Sequence, residues 1–236
     1  SLSDTDTLYA SVAKGFQSGG FNFYDGTPES AQFDSAESWN YEIGWASSWN
    51  EGRTHTRIAA FYSDFENYQV YRLNPVNPTQ AYMVNAEEAT SYGVEIEAET
   101  EVAETLMLSA ALGLVNAEFD SYTDSVLRAT LGPMAADYEF GGNDINFVPE
   151  YTANVAAHIK LPWNLFMLWE VQGIGNYWLD EANTAEQDSF ALVNGRLSYK
   201  RENWELFVYG RNLSDEGYSN NALDLRYTDY SNPAAP

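Results

Sequence analysis

Cysteine is absent from this 236-residue sequence, which excludes disulfide bonds, thiol catalysis and zinc sites built on cysteine. Basic residues are scarce: 11 lysines and arginines stand against 35 aspartates and glutamates, and the formal net charge is −24. Because nucleic-acid binding needs clustered basic side chains, we expect no nucleic-acid partner. No run of 18 or more apolar residues occurs, so we expect no transmembrane helix, whereas a membrane β-barrel needs only about 9–11 alternating residues per strand.

Catalytic signatures are missing as well. The two histidines, His55 and His158, have no HExxH context, and Gly173-Ile-Gly175 lacks the third glycine of a dinucleotide-binding motif. No GxSxG elbow or P-loop occurs. We therefore expect no enzymatic activity and no resident cofactor.

One segment carries hard oxygen ligands around Gly141-Gly142. These ligands are Asp137, Glu139, Asn143 and Asp144. Carboxylate and amide oxygens suit calcium, but the spacing is not that of an EF-hand loop. The pattern favours a plain acidic loop, with a calcium site as the alternative.

Alternation of apolar and polar residues with a period of two recurs along the chain. In 93–99, for example, Glu95, Glu97 and Glu99 share one face of a strand, which a helix would not allow. The pattern predicts an all-β fold, an antiparallel up-and-down meander of about nine strands. We place them at 7–15, 39–48, 54–71, 81–100, 106–121, 148–160, 165–179, 189–200 and 204–216.

The gaps between these strands are sorted by length. Tight gaps at 49–53, 101–105, 161–164 and 201–203 alternate with the longer gaps at 16–38, 73–81, 123–147, 181–188 and 219 onward. In a meander this puts every short turn at one end and every long loop at the other. Outer-membrane barrels have this organisation.

Aromatic residues are abundant, with 17 Tyr, 12 Phe and 7 Trp. They cluster near strand ends, at Trp39, Tyr41, Trp45 and Trp49 and again at Trp163, Trp169, Tyr177 and Trp178. Aromatic girdles at two membrane interfaces would produce this pattern. Ordinary cross-strand pairing, or a carbohydrate-binding β-sandwich, is the alternative.

Several motifs occur in a fixed order. They are Lys-Gly-Phe followed by Gly-Gly-Phe-Asn in 8–22, Glu-Ile-Gly in 37–44, Phe-Tyr and Tyr-Gln-Val in 61–70, Gly-Val-Glu in 89–97, Val-Pro in 148–152 and Asn-Leu-Ser-Asp in 209–218. The segment at 113–119, which resembles the partner of the Gly-Val-Glu strand, lies between the Gly-Val-Glu and Val-Pro motifs in the same order. This ordered set resembles the barrel of TonB-dependent receptors.

The resemblance implies a transmembrane barrel of about 22 strands, preceded by a plug domain and a TonB box. It implies active uptake, most commonly of a ferric siderophore, across the outer membrane of a Gram-negative bacterium. The implied partners are a TonB-type energising complex acting through the plug, the lipid bilayer with lipopolysaccharide, and a small iron chelate. A passive porin-like channel and a soluble carbohydrate-binding protein are the alternatives.

Residues 1–236 are interpreted as a single, partial barrel domain, truncated at both ends, without the plug and the final strand. Unpaired sheet edges cannot face lipid, so the chain alone is expected neither to fold stably in a membrane nor to transport.

Two groups of side chains are candidates for function. Aromatic residues in the long gaps are candidate ligand contacts: Phe21, Phe23, Tyr24, Tyr138 and Phe140. Polar residues on the strands are expected to face the lumen: Glu95, Glu97, Glu170, Asn194 and Arg196. The barrel also requires apolar side chains to point outward, and six mark this face: Leu165, Met167, Trp169, Val171, Val193 and Leu197.

Overall fold

The computed structural model describes residues 5–22, 31–73, 81–124, 127–128 and 139–219. Of the candidate site residues, Phe23, Tyr24, Asp137 and Tyr138 lie outside these ranges. No helix in the described part is both long and apolar enough to cross a membrane.

Nine long strands form one antiparallel sheet in which neighbours along the chain are neighbours in space. The strands are β1 (Asp6–Gln17), β4 (Ala36–Trp49), β5 (Thr54–Leu73), β6 (Ala81–Ala103), β7 (Leu106–Ser121), β8 (Tyr151–Leu161), β9 (Leu165–Ile174), β12 (Phe190–Arg201) and β13 (Trp204–Gly210). Two short hairpins lie in the long connections, made of β2 (Gly20–Phe21) with β3 (Gln32–Phe33) and β10 (Tyr177–Trp178) with β11 (Glu186–Gln187). The predicted nine-stranded meander is confirmed.

Short and long connections alternate as the sequence indicated. The turns β4–β5, β6–β7, β8–β9 and β12–β13 span two to four residues, while the other connections are longer. The sheet therefore has a short-turn end and a long-loop end. This organisation fits a barrel wall better than a sandwich.

Two predicted strand ends differ from the structure by five and six residues, and the other ends differ by three residues or fewer. The strand predicted at 165–179 stops at Ile174, because Gly175 lies against Tyr151 and the chain turns into the β10–β11 hairpin. The last strand stops at Gly210 rather than at residue 216. There Asn212, at φ 48°, accepts a hydrogen bond from the Glu216 amide through its side chain and closes a turn.

Register separates the two faces of the sheet. Directly paired residues share a face, and the chain of partners Glu97–Ala111–Asn154–Gln172 crosses four strands. We call this side the polar face. The other side, the apolar face, carries rows such as Trp45–Ile58–Ile96–Leu112.

Close packing on the polar face explains two glycines of the ordered motifs. The Tyr9 ring lies over Gly44, and the Phe61 ring lies over Gly93, whose added Cβ would come within 2.8 Å of that ring. A neighbouring aromatic ring covers the bare backbone in both cases. Glycine is required because a side chain would occupy the space of the ring.

The buried core lies at the long-loop end, not along the sheet. It contains Val70, Tyr82, Val84, Ala86, Ala89, Ala117, Phe119, Tyr122, Leu127, Phe140 and Ile145. These residues come from β5, β6, β7 and the β7–β8 connection. The described part of the long connection therefore packs over the long-loop ends of three strands.

Candidate functional site

The polar face holds all five residues that were expected to face the lumen. Glu95 and Glu97 lie on β6, Glu170 on β9, and Asn194 and Arg196 on β12, and the pairing register puts them on one side. The structure thus brings together residues from distant parts of the sequence. That this side lines a lumen follows only if the sheet closes into a barrel.

Glu170 is the centre of a hydrogen-bond network on this face. Its two carboxylate oxygens accept bonds from Asn154 at 2.7 Å and Asn194 at 3.0 Å. Asn194 Oδ1 in turn accepts a bond from the Asn212 backbone amide at 3.0 Å. Strands β8, β9 and β12 and the turn after β13 are therefore linked by one carboxylate.

A cavity of about 410 Å³ lies on the polar face at the short-turn end. Its lining includes the basic or titratable side chains of His158, Lys160, Arg196 and Lys200 together with Glu205. Arg196 donates to Glu205 at 2.8 Å and stacks over the Phe207 ring at 4.1 Å. Charged side chains therefore line an open cavity.

Toward the long-loop end the buried side of β5 changes. Phe61 and Phe65 occupy odd positions on the polar face, but Tyr68, Val70 and Arg72, at even positions, are the ones turned toward the core. Asn67 lies between the two sets with φ 55°, in the left-handed region. This residue rotates the strand, so side chains of opposite parity reach the same core.

A buried ionic cluster occupies that core. The Arg72 guanidinium lies 3.0 Å from Asp124 and 3.8 Å from Glu181, and its side chain is 5% exposed. Tyr82 donates to Asp124 at 2.8 Å, and the guanidinium lies over the Phe140 ring at 5.0 Å. The cluster joins β5 and β6 to two separate long connections.

The ionisation states in this cluster are fixed by burial and charge. Burial and then Asp124 raise the pKa of the Tyr82 phenol, and the same two causes raise the pKa of Tyr122. Burial opposes the charge on Arg72, but Tyr122, Glu181 and Asp124 outweigh it and raise its pKa. The phenols stay neutral and the guanidinium stays charged.

The apolar face is exposed. None of its six marker residues is buried, and Trp169, Val171 and Leu197 are 44%, 46% and 40% exposed. A sandwich would have buried them against a second sheet. The exposure predicted for these six residues is confirmed, and their orientation toward lipid stays a prediction.

Aromatic side chains border this face at both ends. Tyr41, Tyr62 and Tyr92 are direct partners in one row, and the first two rings lie 6.4 Å apart. Trp49, Trp163 and Trp204 lie at the short-turn end and are all exposed. Tyr41 and Trp49 are eight residue steps apart along β4, which is about 27 Å of strand, or roughly 20 Å across a membrane at a 40° tilt.

We call the part of the apolar face between the two groups of aromatic residues the membrane band. Acidic side chains mark its limit toward the long-loop end. Two residues beyond Tyr62 comes Asp64, whose row on the apolar face ends at Glu118. Placing a carboxylate inside the lipid bilayer costs free energy. The band therefore ends between the row of Tyr62 and the row of Asp64. Tyr177 and Trp178, predicted to belong to a girdle, lie beyond the band in the β10–β11 hairpin, where the Tyr177 hydroxyl donates to the Ser219 carbonyl at 2.7 Å.

The candidate ligand contacts are placed differently from one another. Phe21 is 71% exposed in β2, whereas Phe140 is 2% exposed and packs between Tyr122 and Arg72. Contact between Phe140 and a ligand would require the core to open. No described group of three or more acidic, histidine or cysteine side chains has metal-binding geometry.

The three described oxygen ligands of the acidic loop, Glu139, Asn143 and Asp144, have protein partners. Glu139 accepts from the Thr123 hydroxyl at 2.9 Å, Asn143 donates to the Glu181 carbonyl at 2.8 Å, and Asp144 accepts from the Trp178 indole at 2.9 Å. These hydrogen bonds hold the loop against neighbouring segments. The acidic residues of the loop therefore stabilise its conformation.

Sequence reasoning missed the Arg72 cluster. Arg72, Asp124 and Glu181 are far apart in sequence, and no motif links them. The sequence of β5 gave no local signal, because apolar residues stand at even positions both before Asn67, at Ile58 and Tyr62, and after it, at Val70.

Comparison with known proteins gives one family. The sequence profile described as "TonB dependent receptor-like, beta-barrel" matches residues 1–213. Among solved structures, the ferric yersiniabactin uptake receptor FyuA from Yersinia pestis is similar, with 24% identity over 93% of this chain and a TM-score of 0.72.

Two further structures are similar in fold. The siderophore receptor PiuA from Acinetobacter baumannii has 19% identity over 94% of this chain and a TM-score of 0.70. The pyoverdine receptor FpvA from Pseudomonas aeruginosa has 20% identity over 93% and a TM-score of 0.63. The chain spans about a third of the length of each: 32% of FyuA and 31% of the other two.

Proposed function

Because this chain belongs to the TonB-dependent receptor-like β-barrel family, we propose that it forms part of the wall of an outer-membrane receptor that takes up a ferric siderophore. The observation that carries the proposal is the family match across residues 1–213 on a sheet with an exposed apolar face. The names of the similar structures, a ferric yersiniabactin uptake receptor and a siderophore receptor, support an iron chelate as ligand.

The location and partners follow from the same proposal. The apolar face meets the outer-membrane lipid of a Gram-negative bacterium, with lipopolysaccharide at the long-loop end. Energy for uptake comes from a TonB-type complex acting through a plug domain. The polar face, with Glu95, Glu97, Glu170, Asn194 and Arg196, faces the plug and water.

Ligand capture is proposed for the long-loop end. Phe21 is the best placed candidate contact because it is exposed, and Phe23, Tyr24 and Tyr138 remain candidates from the sequence. Phe140 contributes only if the core opens. The protein needs no resident cofactor and catalyses no reaction, and the iron complex is its cargo.

Uptake of radiolabelled ferric siderophores into iron-starved cells tests the proposal. Cells carrying the complete receptor gene should accumulate iron from at least one chelate, and deletion of the energising complex should abolish it. A passive channel would keep its uptake without the energising complex. Energy-independent permeation would therefore overturn active uptake in favour of a porin.

A further inference from the structure

A cleft of about 600 Å³ opens between two neighbouring short turns, β8–β9 and β12–β13. Its lining includes Asn164 from the first turn and Lys200, Arg201, Glu202 and Trp204 around the second. The two turns are joined, because the Lys200 backbone amide donates to the Asn164 carbonyl oxygen at 3.0 Å. The cleft therefore belongs to the rim of the sheet at its short-turn end.

Arg201 places a cation on the apolar side of this rim. It is the direct partner of Trp204, and Tyr199, two residues before it, pairs with Leu165 of the apolar face. The Arg201 Nε donates to the Tyr199 hydroxyl at 2.6 Å, and the Tyr199 and Trp204 ring centroids lie 5.5 Å apart. Tyr199 therefore orients the guanidinium beside the exposed aromatic side chains of the short-turn end.

Positive charge prevails in the cleft. Neither Lys200 nor Arg201 lies within 4.0 Å of a carboxylate in the described ranges, and both Nη nitrogens of Arg201 lack a hydrogen-bond partner there. Glu202 is the one acidic residue among the described lining residues. Two cations therefore face a single carboxylate, in a chain whose net charge is −24. An anion with several oxygen acceptors fits this lining.

We propose that this cleft binds the phosphate group of an anionic phospholipid in the membrane leaflet at the short-turn end. The Arg201 guanidinium pairs with the phosphate oxygens through its Nη nitrogens, and Lys200 supplies a second cation. The proposal rests on the proposed function only in taking the apolar face as the surface that meets lipid.

The surroundings of Arg201 favour a lipid over a soluble phosphate. Leu206 is the direct partner of Tyr199, and Val208 follows it on the same face of β13. Both are about two-thirds exposed, at 68% and 66%. Apolar surface thus continues from the guanidinium toward the middle of the sheet, which matches a molecule with a phosphate at one end and acyl chains at the other. Lipopolysaccharide meets the opposite, long-loop end in the proposed orientation, so the occupant is a glycerophospholipid.

Native mass spectrometry of the complete receptor in detergent tests the proposal. Phosphatidylglycerol and phosphatidylethanolamine with the same acyl chains are titrated separately, and the affinity for the first bound lipid is measured. We expect phosphatidylglycerol to bind more tightly, because it carries a net negative charge. Arg201→Gln should lower the affinity for phosphatidylglycerol about fivefold, since one cation at the phosphate is lost.

Arg211→Gln is the matched control. Arg211 is also exposed, lies 5.8 Å from the Tyr209 ring centroid and has no carboxylate within 4.0 Å among the residues described. It stands just past the other end of β13. This variant should bind phosphatidylglycerol as the unaltered receptor does. Circular dichroism establishes that each variant is folded.

Three outcomes would overturn the proposal. They are an unchanged affinity for phosphatidylglycerol in Arg201→Gln, equal affinities for the two lipids, and full competition by soluble glycerophosphate or by lipopolysaccharide. Because the readout is lipid binding, a receptor that fails to take up iron still gives a valid result. Failure of lipid binding in turn leaves the proposal of iron uptake intact.

Discussion

At the scale of single residues, Asn67 decides which side chains reach the buried core. Its left-handed backbone, at φ 55°, lies between two β5 segments that face the core with opposite parity. Its carbonyl oxygen also accepts a hydrogen bond from the side-chain amide of Asn85 at 2.8 Å. Asparagine tolerates this conformation far better than a β-branched residue.

We therefore predict different effects on stability for two substitutions at this position. Asn67→Val should destabilise the receptor by about 1–2 kcal/mol, because valine is strained in the left-handed region. Asn67→Gly should be nearly neutral. Thermal unfolding of the complete receptor, followed by circular dichroism of the strands, measures both, and equal losses would show that the backbone conformation is unimportant.

The buried ion pairs of Arg72 with Asp124 and Glu181 hold the long connections against the long-loop end of the sheet. Removing one partner of a buried ion pair leaves the other charge unpaired and costs about 3–5 kcal/mol. Arg72→Met should therefore loosen the β7–β8 connection and increase its cleavage by protease, while the strands at membrane depth stay protected.

The exposed pair of Arg196 and Glu205 supplies the matched control. Arg196→Met removes an ion pair whose side chains are 40% and 35% exposed, and such pairs contribute about 1 kcal/mol or less. Equal protease sensitivity of the two variants would contradict a special role for the buried cluster.

Gly93 tests the close packing between strands. An added Cβ would meet the Leu114 carbonyl oxygen and the Phe61 ring. Gly93→Ala should destabilise by about 1–3 kcal/mol, as overpacking does. Gly173→Ala is the matched control, because its Cβ would have only ordinary contacts, the nearest at 3.7 Å. A neutral Gly93→Ala variant would contradict this account.

At the scale of elements, the strands could be predicted from the sequence because each lies beside strands with the same alternation of side chains. Each long strand pairs with one or two similar strands and has the same alternation, so the period of two and the sorted gaps identify it. The Leu- and Ala-rich strand predicted at 106–121 forms β7 with those bounds.

The elements that were missed depend on contacts between distant residues. Strand β9 ends where Gly175 meets Tyr151, and Glu150 accepts a hydrogen bond from Asn176 at 3.1 Å. The Arg72 cluster requires two connections to fold back on β5. Neither arrangement has a local period, so alternation alone could not predict them.

At the scale of the whole molecule, β1 and β13 each pair on one side only within the described sheet. Their outer backbone groups need partners, because unpaired N–H and C=O groups at membrane depth cost several kcal/mol each. We predict that the 236-residue chain, refolded alone in detergent, elutes as aggregates in size-exclusion chromatography. A stable monodisperse species would contradict the barrel-wall interpretation.

The central claim is that the sheet is a barrel wall with lipid on one face and a water-filled lumen on the other. Because this chain has no cysteine, spin labels can be attached to single introduced cysteines at positions 167–172 of β9. The account predicts alternation: labels at 167, 169 and 171 collide with oxygen dissolved in lipid, and labels at 168, 170 and 172 collide with a water-soluble nickel complex. Accessibility without a period of two, or with the phases reversed, would contradict it.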